Sequence, residues 1–117
     1  MLKKFTSLLV LLIAGLIVNA GPVEDLIKES GNAADYKGSN LLILFDSTRV
    51  DVQETGLSHF HMHQLIKVLT QKGAVDQRVI KIDYDPLSAD LDFRLVKIYR
   101  KDGTVENVDL TSVCDYP

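Results

Sequence analysis

His59, His61 and His63 alternate along one stretch of the chain. In an extended strand residues two apart share a face at about 7 Å spacing, so the three imidazoles should project together. Neutral imidazole nitrogen ligates Zn²⁺ or Cu²⁺, and a neighbouring strand can add a carboxylate. That makes these three the candidate metal residues. Histidines on one strand are too far apart to close a tetrahedral site without help, so a solvated strand face is the plainer reading.

Two other constellations are weaker. Asp83, Asp85, Asp90 and Asp92 gather around a turn and offer oxygen to Ca²⁺, but the helix-loop-helix calcium pattern would place Leu87 at a ligand position and Ser88 at its obligatory glycine. Solvation of the turn accounts for these acids. Cys114 is the single cysteine, and with a histidine it could form a thiol nucleophile and its base. It stands before Asp115, close to the C-terminus, without the electropositive setting that activates a thiol. Phosphate-binding and dinucleotide-binding glycine patterns are absent. No catalytic residue, and no cofactor, is assigned; the chain reads as a non-enzyme.

The elements that must position these residues are mostly strands. Pro22 suits a first helical position, Val23, Leu26 and Ile27 recur at helical spacing, and Gly31 can end the turn, which predicts a short helix followed by a surface connection to Asn40. From Leu41 the period becomes two. Leu41 to Val52 reads as a long strand whose buried face switches near Asp46. After a turn at Glu54-Thr55-Gly56, the strand Leu57 to Thr70 sets Phe60, Met62, Ile66 and Val68 against His59, His61, His63 and Lys67. A turn at Gln71 to Gly73 leads to a third strand, Ala74 to Tyr84, closed by Asp85 and Pro86. Phe93 to Arg100 and Thr104 to Leu110 form a hairpin around Lys101-Asp102-Gly103. The expected class is mainly β: an antiparallel sheet, part of a β-sandwich-like domain, with a short helix in front.

Met1 to Ala20 carries the zones of a cleavable export signal: Lys3 and Lys4, an apolar run from Leu8 to Val18, and small residues before Gly21. The run is short for a membrane span, which takes about 20 apolar residues. The expected organisation is a signal peptide over 1–20, a helix and linker over 21–40, and a strand-rich domain over 41–117. Removing 20 of the 117 residues leaves 97 and takes the formal net charge from −3 to −5. Scattered basic residues argue against nucleic acid. Cys114 has no second cysteine to pair with, so an oxidising compartment supplies no internal staple.

Several patterns occur in an order that resembles a known family: the apolar block ending in Phe45-Asp46, the turn Glu54-Thr55-Gly56, Ile66-Lys67-Val68-Leu69-Thr70 leading to Lys72-Gly73-Ala74, then Tyr84-Asp85-Pro86 and Lys101-Asp102-Gly103. From Leu41 to Pro117 the chain resembles an uncharacterised strand-rich domain that precedes the transglutaminase-like domain in exported bacterial proteins. The resemblance implies a β-sandwich-like fold and a non-catalytic role beside that enzyme-like domain. The catalytic motifs of the second domain are not in this sequence, and the resembling domain continues beyond the part matched here, which implies a truncated relative or a gene fragment.

The expected function is that of an exported, non-catalytic binding or interaction module of the periplasm or extracellular space, with a metal-binding envelope protein using the histidine strand as the alternative. The expected partners are an envelope protein or a second copy, met through exposed strand edges. No stable membrane span is expected after processing.

Overall fold

Pro22 opens the first helix, where its missing N–H has no intrahelical partner to lose. The structure, a computed structural model, describes residues 21–116; the expected signal peptide lies outside them. Helix α1, Pro22–Glu29, has Glu24 and Asp25 in its first turn and Lys28 in its last, matching the helix dipole. A 3₁₀ turn, Ala33–Asp35, follows, with the Asp35 carboxylate accepting from the Asn32 amide at 2.7 Å.

Strand β1, Leu41–Val52, pairs antiparallel with β2, Ser58–Val68. The register shifts between Ile43 and Phe45, so Leu44 is a bulge residue. This is the expected face switch, two residues earlier than the sequence placed it. Because of it Leu41 and Ile43 share a face with Thr48, Val50 and Val52 despite the change of parity. The connecting turn is held by the Gly56 amide donating to the Gln53 carbonyl at 2.9 Å, with Gly56 at φ +85°, a conformation in which a Cβ would be strained.

The expected strand Ala74 to Tyr84 does not form. Thr70 instead caps helix α2, Gln71–Asp76, its hydroxyl accepting from the Gly73 amide at 3.1 Å. Lys72 and Asp76, one helical turn apart, pair at 2.8 Å. The residues from Ile80 to Tyr84 then run without a ladder. Their alternation was real, but an alternating segment becomes a strand only where a neighbouring backbone accepts its hydrogen bonds.

The chain divides into two units, one ending at Val79 and the other beginning at Ile80. In the second, β3, Lys97–Tyr99, pairs antiparallel with β4, Val105–Asn107. Both are shorter than the strands expected over Phe93 to Arg100 and Thr104 to Leu110. The ladder reaches one step further at each end, through Val108 donating to Val96 and Arg100 donating to Thr104, both at 2.9 Å. The expected turn is present, with Gly103 at φ +86° and Asp102 accepting from the Thr104 amide. A 3₁₀ turn, Leu110–Ser112, replaces the end of the expected return strand. The described residues thus form antiparallel sheets with a few short helices, a mainly β chain.

Candidate interaction face

The β1–β2 register assigns every side chain of the hairpin to one of two faces, since residues directly opposite in an antiparallel pair point the same way. One face carries Leu41, Ile43, Val50 and Val52 from β1 beside Val68, Ile66, Met62 and Phe60 from β2. Leu41 and Ile66 are half-buried; the rest are exposed, Phe60 at 66% and Met62 at 60%. Between the inner and outer apolar groups Gln64 donates to the Asp46 carboxylate at 3.0 Å. Among the described residues no apolar side chain is fully buried. A monomer rarely leaves so many adjoining apolar side chains in water unless the patch has a use.

The opposite face carries the histidines, as the alternation predicted. His59 faces Asp51, His61 faces Arg49 and His63 faces Ser47. Each ring has a different neighbour. His61 Nε2 lies 3.5 Å from Asp51 Oδ2, His59 Nε2 lies 3.2 Å from the Gln53 amide nitrogen, and the His63 ring meets Phe45 edge-on with centroids 4.7 Å apart. The neighbouring strand therefore does offer a carboxylate, but the same Asp51 oxygen already accepts two hydrogen bonds from Arg49, at 2.9 and 3.2 Å. Among the described residues no three histidine, cysteine or acidic side chains converge on a point that could hold a metal ion.

The remaining candidates stay apart. Cys114 is an exposed free thiol. Asp85 turns inward on its own loop, accepting from the Leu87 amide at 3.0 Å and the Ser88 hydroxyl at 2.9 Å, and the Leu87 amide before the Ser88 hydroxyl holds its carboxyl below the ordinary value. Asp92 has Arg94 at 3.9 Å.

Lys67 lies on the histidine face, as the alternation predicts, and the structure gives it a further part. Its ammonium donates to the Ile27 carbonyl and the Ser30 hydroxyl, each at 2.9 Å, and to the Gly31 carbonyl. No sequence pattern links a strand lysine to a helix end some 40 positions earlier. Among the described residues no helix is long and apolar enough to cross a membrane.

Residues 54–117, more than half of the chain, match the family DUF3857, a domain of unknown function with solved structure. No curated protein matches the chain, and no solved structure does.

Proposed function

The chain belongs to the DUF3857 family, and from that premise we propose that it is an exported, non-catalytic interaction module, related to the domain that precedes transglutaminase-like domains, which works by docking the apolar face of β1 and β2. The observation that carries this reading is the run of exposed cross-strand neighbours around Val50 and Phe60, continued by Ile43 opposite the half-buried Ile66.

Size decides how the face is used. Two strands of this length present a strip of roughly 35 by 10 Å, about half of the ~800 Å² that a standard interface takes from each partner. Face-to-face contact alone is then too small for a stable complex. Strand addition at an edge of the hairpin supplies the rest, since it joins main-chain hydrogen bonds to the apolar burial. An envelope protein with its own sheet, or a second copy, satisfies both requirements. Export is supported by the basic, apolar and small-residue zones of the first 20 residues.

Light scattering and thermal melts on residues 21–117 test the proposal. Self-association, or a melt that moves with concentration, is the expected result. A soluble monomer with a sharp, concentration-independent transition above about 65 °C, beyond the usual mesophile range, would show that the face needs no partner.

The histidine face supports a second, metal-binding reading only through the approach of His61 to Asp51.

A further inference from the structure

We propose that α1 is a releasable strap, held on the hairpin chiefly by the Lys67 ammonium. The helix has eight residues, whereas isolated helices below about 12 residues are marginal in water. It therefore persists only while something holds it in place. Apolar packing is a weak anchor here, because Val23, Leu26 and Ile27 are each only half-buried. The polar anchor is more complete.

Lys67 places all three of its donors on the end of the helix: the Ile27 carbonyl, the Ser30 hydroxyl and the Gly31 carbonyl. The last carbonyls of a helix lack intrahelical donors and carry the negative end of its dipole, so a cation there is favoured twice over. The Ser30 hydroxyl in turn donates to the Ile27 carbonyl at 2.7 Å, and the Tyr36 hydroxyl donates to the Ser30 carbonyl at 2.7 Å. The latch thus ties the helix end, the following turn and β2 into one polar knot. It holds no carboxylate, so its one charge belongs to Lys67.

Lys67 stands opposite Leu42, on the face that continues with Leu65 and Phe45. These three are half-buried, unlike Phe60 and Met62 on the other face. Loss of the Lys67 charge, by substitution or acylation, removes its three hydrogen bonds and frees α1 from the hairpin. The strap stands independently of how the opposite face is used.

Hydrogen exchange on the full chain decides the matter. Lys67→Met keeps the apolar stem and removes the donors; it should speed exchange of the protected amides over 22–31 by roughly tenfold or more, the size expected for loss of a charge-assisted hydrogen bond, while the amides of 41–68 are unchanged. Ser30→Ala, which removes one acceptor from the helix side, should give the same pattern at smaller size and decides the question where Lys67→Met does not fold. Unchanged exchange over 22–31, or an acceleration shared by 41–68, would overturn the proposal: the first would leave apolar packing as the anchor, the second would make Lys67 part of the fold as a whole.

Discussion

Val50 stands directly opposite Phe60 across the β1–β2 ladder, and both side chains are open to solvent. A side chain that is mostly exposed contributes little to the stability of the isolated chain, whatever it contributes to a complex. Phe60→Thr, which keeps a β-compatible residue, should therefore change unfolding free energy by no more than about 0.5 kcal/mol while lowering association measured by light scattering. A loss of more than about 2 kcal/mol would place Phe60 in a core.

The histidine face should not hold a metal tightly. Its three rings have separate neighbours, and Asp51 is already engaged by Arg49. Calorimetric titration with Zn²⁺ or Cu²⁺ is expected to show no stoichiometric binding. A submicromolar site abolished by His61→Ala would reverse this and promote the metal-binding reading.

Gly73 is the only buried residue among those described, and a Cβ there would run into the Asn40 carbonyl oxygen, closer than real Cβ contacts come. That oxygen cannot yield freely, because it accepts from the Leu69 amide at 2.9 Å where the hairpin ladder ends. Gly73→Ala should destabilise the first unit by about 1–3 kcal/mol through overpacking, although alanine is the better helix former. An unchanged denaturation midpoint would mean that α2 shifts to admit the methyl group.

Much of this was legible because it is local. The two faces of β2 follow from the alternation between His59 and Val68, interrupted only at Gln64 and Leu65, and the turns at Gly56 and Gly103 from glycine's access to positive φ. The stretch from Gln71 to Tyr84 departs from the expected turn and strand because Val79, Ile80, Ile82 and Tyr84 have a strand's period but no neighbouring strand among the described residues. The same stretch carries two helix signals, a Thr70 cap and Lys72 four residues before Asp76. The Lys67 latch depends on distant segments meeting, which no local pattern encodes, and the sharing of Asp51 between Arg49 and His61 depends on the hairpin register.

Export makes its own prediction. Val18 and Ala20 are small enough for a signal peptidase pocket. Mass spectrometry of protein recovered from the envelope of an expressing cell should find an N-terminus at Gly21; recovery with Met1 intact would exclude processing.

The β3–β4 turn is one place where acid should act on the second unit, beside the lowered carboxyls of Asp85 and Asp109. The Thr104 hydroxyl, at 2.6 Å, and the Thr104 amide, at 2.9 Å, both donate to Asp102 Oδ1. The hydroxyl first and the amide next hold the Asp102 carboxyl below the usual aspartate value, because each hydrogen bond favours the charged form. A carboxyl lowered in the folded state supports that state fully above its unfolded value of about 3.9; the support disappears as pH falls from there through the folded value. The turn should therefore loosen only in that acidic window and be indifferent to pH near neutrality. Thr104→Val removes the hydroxyl while keeping the amide donor and the β-branched shape. It should move the Asp102 titration, followed by NMR at the Gly103 amide, upward towards the usual value without reaching it, since the amide bond remains. An unmoved titration would show that the backbone alone holds the carboxylate.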